Sequence, residues 1–410
     1  MSGKLMESAL LTDNPFRIVP ELHPTIWAGH EDLKQDLERI ITQSLITSPS
    51  WIIANWGDWG TGKSHSAHYF SFKENIQELM RRQKLEVPEP MCILMAIPKP
   101  LRSGEALSDF YQAFIERIGF EAIETIVRTI YKRINDYLTK QGVSRSAVQD
   151  EVKLVFSRNF VIEDLTKIFL KIAGIPTSTT AEDRLLIWKY IHREATSTEL
   201  TRLGVVTTID SYTAIQRVIT GLLNLFVYQD RRYSPTPPHS EVFLWIDECE
   251  GIWDLKAADV FNILSIFRDL IDNTPNNLTV FLNASFTGGG SIRDLRALFG
   301  DAVMSRARRT INFKHMVSTD EALKYVVQLL NNEVYRPPKL KQKCPDEFYP
   351  FSMETLKAII EKTRPLTPRR VNDNCSIVLE MAIHDGIIKK IGDLIPPESA
   401  VKYLPALLSS

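Results

Sequence analysis

The chain has 410 residues, 44% of them hydrophobic and 24% charged, enough to bury the cores of two or three domains. Its formal net charge is −1, so no global field draws it onto nucleic acid. Contact with DNA would have to come from a local patch or from repetition in an oligomer. The cysteines Cys92, Cys249, Cys344 and Cys375 lie far apart, with no C-x-x-C or Cys/His pairing. They read as reduced thiols of a cytoplasmic protein. The start MSGKLMESALLTDNPF lacks the long apolar segment of a signal peptide. No uncharged apolar run reaches the ~18 residues that would suggest a membrane span.

In chain order, residues 1–30, with Pro15, Pro20 and Pro24, read as an irregular N-terminal arm lying across the first domain. HEDLKQDLERIITQSL (30–45) is apolar at 33, 37, 40 and 41, which is helical spacing. It opens the first part of an α/β domain, 31–120. WIIANW reads as a short buried strand, and KSHSAHYFSFKENIQELMRRQ as one helix stopped before VPEP. MCILMAI (91–97) is a second strand and SDFYQAFIERIG (108–119) a second helix. This alternation predicts a parallel sheet covered on both faces.

Over 121–204 the alternation stops. EAIETIVRTIYKRINDYL, DEVKLVFSRNFVIEDLTKIFLKIAG and AEDRLLIWKYIHREA read as the helices of an insertion. The α/β domain resumes over 205–317. SYTAIQRVITGLLNLFVYQ (211–229) is a helix, RRYSPTPPHS a surface loop, and EVFLWIDE (241–248) a buried strand ending in two acids. ADVFNILSIFRDLI follows as an amphipathic helix, then LTVFLNAS (278–285) and TINF (310–313) as strands. Residues 318–410 read as a helical lid domain, interrupted by the loop RPPKLKQKCPDEFYP.

Five features carry chemistry. Gly57-Asp58-Trp59-Gly60-Thr61-Gly62-Lys63-Ser64 fits G-x-x-x-x-G-K-[ST] between a strand and a helix. The glycines let backbone N–H groups and the helix N-terminus wrap a triphosphate. Lys63 reaches the β- and γ-phosphates and Ser64 holds Mg²⁺. His65 and Arg369 complete the candidate nucleotide-binding set, and Trp59 either packs under the loop or covers the nucleotide. In VFLWIDE, Asp247 can bind Mg²⁺ through water, while Glu248 polarises the attacking water. Asn283, near the end of LTVFLNAS, lies where its amide could orient water or touch the γ-phosphate. The basic stretch IRDLRALFGDAVMSRARRTINFK places Arg306, or second Arg309, just before a final edge strand. An arginine there can reach a neighbour's γ-phosphate, a contribution worth about 10³–10⁵ in rate. Finally, LTPRRVND (366–373) opens a lid helix from which Arg369 could swing onto the nucleotide. His65 and His68 share a helix face but have no third ligand, so a metal site there is not expected. G-x-S-x-G and H-E-x-x-H are absent.

The order of these elements resembles the AAA+ ATPases. Within them it is most similar to the origin-recognition and initiator branch, with related bacterial ATPases of transposition and phage defence. The resemblance covers about 14–120 and 205–405. NPF…HPTIWAGHEDLKQDLERII is similar to the segment on which that family seats adenine, with Gly29-His30-Glu31 where a G-R-E-type turn is usual. The resemblance implies an α/β P-loop NTPase sheet with a helical lid, binding ATP and Mg²⁺ between the two. It also implies homo-oligomeric rings or spirals in which a neighbour's Arg306 completes the site. IPKPLRSGEAL matches the family's DNA-contacting element, making Lys99 and Arg102 candidates to track phosphates. With no winged helix after the lid, DNA is expected to be engaged through the pore, the insertion or a partner. The function expected is an ATPase in a DNA transaction, loading, recruiting or regulating an effector protein such as a nuclease, helicase or transposase. The alternative is an NTP-gated signalling or scaffold ATPase of the STAND or KAP type, since W-G-x-G-K is also typical of KAP proteins. Against it stand IDECE in place of a DDLDR-type run and the lack of a repeat array. A nucleotide kinase ranks third, disfavoured by Asn283 and the arginine-bearing lid.

Overall fold

The computed structural model describes residues 6–19, 24–48, 50–99, 102, 104–176, 179–274 and 276–404. The helices and strands run α1 (Glu31–Thr47), β1 (Ser50–Gly57), α2 (Lys63–Ser71), α3 (Lys73–Arg82), β2 (Met91–Ala96) and α4 (Ala106–Ile118). Six helices follow: α5 (Phe120–Lys140), α6 (Arg145–Phe160), α7 (Glu163–Ile172), α8 (Ala181–Ile191), α9 (Ser197–Leu203) and α10 (Tyr212–Phe226). Then come β3 (Val242–Asp247), α11 (Ala257–Asn273), β4 (Leu278–Ser285), α12 (Ile292–Met304) and β5 (Ala307–Phe313). The chain closes with α13 (Thr319–Leu330), α14 (Pro338–Lys341), α15 (Met353–Glu361), α16 (Pro368–His384) and α17 (Glu398–Tyr403).

The five strands form one parallel sheet in the order β2-β3-β4-β1-β5. Strand side chains alternate between faces, and here both faces are covered, which is why the strands read as unbroken apolar runs. Trp51, Ile53, Phe243, Trp245 and Phe281 pack on one face with Leu37 and Ile41 of α1, Phe70 of α2 and Leu79 of α3. Trp245 and Phe281 stack there with centroids 3.8 Å apart. Ile52, Ala54, Leu244, Ile246 and Leu282 pack on the other face with Phe110 of α4, Leu222 of α10, Phe267 of α11 and Leu298 of α12. That second core runs on without a break into the helices over 120–203, through Val127, Phe156 and Phe169. The parallel sheet and its helical cover are the architecture that the resemblance implied.

Two segments read as single helices are each broken in two. Phe72 is extended (φ −78°, ψ 122°) between α2 and α3. The break lets α2 follow the loop after β1 while α3 turns Ile76, Leu79 and Met80 inward. Val161 is left-handed (φ 65°) between α6 and α7. The reversal there stacks Phe160 on Phe169 at 3.9 Å. Neither break carries a Gly or Pro, so tertiary packing overrides local propensity at both.

The arm, read as lying across the first domain, meets both parts: Trp27 packs on Tyr69 and Phe70 of α2, while the beginning of the arm joins the lid. Met6, Ala9, Leu11 and Phe16 belong to the lid core, with Tyr335, Phe351, Leu356 and Val378. Thr12 N–H donates to Tyr335 O at 2.8 Å, and the fully buried Arg336 guanidinium donates to Leu10 O and Tyr349 O. The lid helices leave one side of their apolar interior open, and these non-periodic apolar residues close it. Among the described residues, no helix is long and apolar enough to cross a membrane.

Candidate functional site

The site lies at the C-terminal edge of the sheet, where β1 and β3 end, and the loop after β1 forms its floor. Gly60 (φ +76°) and Gly62 (φ +103°) take conformations that L side chains rarely adopt. A Cβ on Gly60 would lie 2.7 Å from Arg369 Cβ and 3.2 Å from Thr367 Oγ1. Arg369 N–H also points at Gly60 O, 3.3 Å away, so the loop meets the first turn of α16 through backbone as well. Lys63 opens α2, so its amide belongs to the free N–H groups of a helix start, which favour anions. Its Nζ donates to Gly57 O (3.1 Å), Asp58 O (2.8 Å) and Thr61 Oγ1 (3.3 Å). Burial lowers the Lys63 ammonium pKa to about 8, against the raising pull of Glu250, Asp247 and Asp58.

The acidic side of the cleft comes from β3 and the turn after it. Asp247 ends the strand, and Glu248 takes a left-handed backbone (φ 53°) that exposes its carboxylate to the cleft. Ser64, Asp247, Glu248 and Glu250 all line this cleft together with Lys63. A hydroxyl and a carboxylate are hard oxygen donors of the kind Mg²⁺ takes beside phosphate oxygens and water. Ser64 and Asp247 therefore fit the ion. Among the described residues no group of three His, Cys, Asp or Glu could hold a metal by protein ligands alone.

Asn283 is the residue read as orienting water or touching the γ-phosphate. It is 1% exposed and does not line the cleft. Its Nδ2 donates to Asp247 Oδ1 and to Lys63 O, both at 3.2 Å, and its Oδ1 accepts from Asn55 Nδ2 at 2.9 Å. Its hydrogen bonds are spent on joining β1, β3 and the start of α2. Ser285, two residues further along the same face, is the residue of β4 that reaches the cleft.

The far end of the cleft is mostly apolar, with Arg17 its charged member. Ile18, Val19, Pro24, Ile26 and Ala28 face Tyr325 and Leu329 of the lid. His65 lines this end too, its ring 5.7 Å from that of Trp27. Burial lowers its pKa to about 4, so it presents a neutral imidazole at neutral pH. Gly29 N–H donates to Gln328 Oε1 (2.7 Å), and His30, in the place of the usual arginine, faces Glu321 at 3.6 Å. Trp59 does not pack under the loop: it is 50% exposed and lines the cleft. A second cleft adjoins the first across Trp59, Glu248, Glu250 and Ser285, with Trp253 and Lys99 on its rim.

Arg369 lines the main cleft from the lid. Thr367 caps its helix, accepting from Arg370 N at 3.3 Å, with Pro368 in the first turn. Arg306 is elsewhere. Its guanidinium makes two bonds to Asp272, at 2.8 and 2.7 Å, on the surface where α12 passes into β5. Arg309 lies in β5 opposite Ile53 with an exposed side chain, and Arg308 covers the Trp51 ring at 4.4 Å. Arg102 is exposed, and residues 100, 101 and 103 of IPKPLRSGEAL lie outside the described residues. The sequence reading missed three members of the site: Glu250, Ser285 and His315. The last bonds Asp58 Oδ2 through Nε2 at 3.0 Å, tying the phosphate loop to the passage from β5 to the lid.

No family model and no curated protein matches the chain. Among solved structures, it is similar to the Drosophila origin recognition complex bound to DNA. That likeness has 13% identity, covers 100% of this chain and 67% of the other, and has a TM-score of 0.48. It is also similar to the ORC2 protein of Aeropyrum pernix in its ADPNP–ADP complexes. There the identity is 13%, the coverage 96% and 71%, and the TM-score 0.45.

Proposed function

We propose that the protein binds ATP with Mg²⁺ between the α/β domain and the lid and hydrolyses it there. One observation carries this reading. A glycine loop with Lys63, a strand end with Asp247 and Glu248, and Arg369 of the lid all converge on one cleft with a mostly apolar far end. The backbone N–H groups of the loop and the start of α2 would receive the phosphates, and the apolar end the base. Ser64 and Asp247 would hold the Mg²⁺, whose charge offsets that developing on the β- and γ-phosphate oxygens.

Glu248 would take a proton from an attacking water as the water oxygen bonds to the γ-phosphorus. The bond from that phosphorus to the β,γ-bridging oxygen breaks, leaving ADP and phosphate. Lys63 and Arg369 neutralise charge at either side of the transferred group. A neighbour's Arg306, released from Asp272, would add a further cation and make the site one shared between subunits of a ring or spiral. In this reading the ATP state is passed to DNA, through a local patch such as Lys99 and Arg102, and to an effector protein acting on it. The NTP-gated signalling alternative is favoured by one observation, that Arg306 is held within its own chain by Asp272. The test is ATP turnover and particle size with and without DNA across salt concentration. DNA-stimulated turnover with a salt slope supports the first reading, whereas an unchanged rate and a monomer throughout support the second.

A further inference from the structure

The turn after β3 holds a third carboxylate. Glu250 Oε2 accepts the backbone N–H of Ser285 at 2.9 Å, and Glu250 lines both the main cleft and the one beside it. Ser285 is the last residue of β4, in register with Gly57, where the phosphate loop begins. The next residue, Phe286, donates its N–H to Gly57 O at 3.0 Å. Two residues before Glu250, Glu248 carries a left-handed backbone at a non-glycine position. Such a conformation is strained and persists only where its surroundings over-determine it. Three bonds hold this turn: Gly251 N–H to Glu248 O (2.9 Å), Cys249 Sγ to Ile246 O (3.3 Å), and the Ser285 N–H to Glu250. The first lies within the turn and the second joins it to the end of β3. The third reaches across to the end of β4 beside the phosphate loop, where Cys249 also meets the Asn283 backbone.

We infer that Glu250 is a positioning residue for hydrolysis: by accepting the Ser285 amide it sets the strained Glu248 against the phosphate loop. This rests on the reading of Glu248 as the group that activates water. The bond requires reach rather than charge, because an amide oxygen accepts from an N–H as a carboxylate oxygen does. Glu250→Gln keeps the oxygen in place, whereas Glu250→Asp keeps the charge and withdraws the oxygen by one methylene.

The test is steady-state ATP turnover of the full chain, with nucleotide affinity measured separately by titration. Glu250→Asp and Glu250→Ala should lower kcat ~10- to 100-fold, the range that follows when a reacting group is misplaced by about 1 Å. Their nucleotide affinity should stay within a few-fold of wild type, and Glu250→Gln should recover most of the lost kcat. A Glu250→Asp enzyme as fast as wild type overturns the inference, as does a Glu250→Gln enzyme as slow as the alanine variant. A wild-type protein that binds ATP without turning it over overturns the hydrolytic reading itself, and the inference with it.

Discussion

The backbone N–H of Arg369, in the first turn of a lid helix, points at the carbonyl oxygen of Gly60 in the phosphate loop, 3.3 Å away. A lid and a loop 309 positions apart in the sequence therefore meet through main chain. The loop proposed to hold phosphate thus touches the lid directly. His315, bonded to Asp58 of the same loop, ties the start of the lid to it a second time.

Gly60→Ala tests that contact. The added methyl would lie 2.7 Å from Arg369 Cβ at a backbone φ of +76°, so the loop or the lid must shift. The expected cost is about 1–3 kcal/mol of stability, seen in denaturant unfolding. ATP affinity, measured by titration, should fall as well, because the loop proposed to receive the phosphates is displaced. A variant with wild-type stability and wild-type ATP affinity would show that the contact is not used.

Asn283→Ala should act on structure before chemistry. It would leave Asp247, Asn55 and the Lys63 carbonyl each short of a partner. Groups deprived in this way cost about 1–3 kcal/mol. Urea unfolding should show that loss without nucleotide present. A fall in kcat with unchanged stability would instead make Asn283 a contact to the reacting group.

Arg306→Ala should bind ATP as wild type does and lose turnover, if the arginine serves a neighbouring subunit. Mixing it with Glu248→Gln should partly restore activity, because some interfaces then combine an intact Glu248 with an intact Arg306. The bidentate pair with Asp272 adds a second expectation: Asp272→Ala frees the guanidinium and should promote ATP-dependent assembly in sedimentation. Absence of rescue on mixing would remove the shared site.

Glu241 predicts a pH dependence of folding. It is fully buried at the start of β3, bonded to Thr279 Oγ1 at 2.8 Å, and burial raises its carboxyl pKa to about 9. The folded state keeps it protonated while the unfolded chain ionises it above the usual carboxylate range. Its contribution to stability is thus full in acid and lost as pH rises towards 9. Glu241→Gln should remove that decline and raise stability at pH 8 by the order of a few kcal/mol. Parallel stability–pH curves for the two proteins would contradict the assignment.

Much of this site is legible in local sequence because its members sit at the ends of buried strands. WIIANWGDWGTGKS and VFLWIDE announce both a strand, through an apolar run, and a polar terminus. Arg369 is legible for a similar reason, since a Thr-Pro start marks the turn that carries it. Ser285 and Glu250 are not, because their meeting depends on how far β4 extends beside the turn after β3. Asn283 shows the opposite difficulty. Its place near a strand end is correct, yet whether its amide faces ligand or interior depends on a register step of two residues. The breaks at Phe72 and Val161 and the docking of the arm on the lid share one cause. Each answers to a surface built by distant residues, and no local composition signals it.

In the function proposed above, Lys63 and Glu248 divide binding from hydrolysis in one cleft. That division is tested most directly by measuring ATP affinity and turnover side by side for wild type, Lys63→Ala and Glu248→Gln. Lys63→Ala should lose binding and turnover together. Glu248→Gln should bind ATP with wild-type affinity while turnover falls ~10²- to 10⁴-fold, as for a lost general base. A wild-type chain without measurable ATP affinity, or a Glu248→Gln variant that turns over at the wild-type rate, would contradict it.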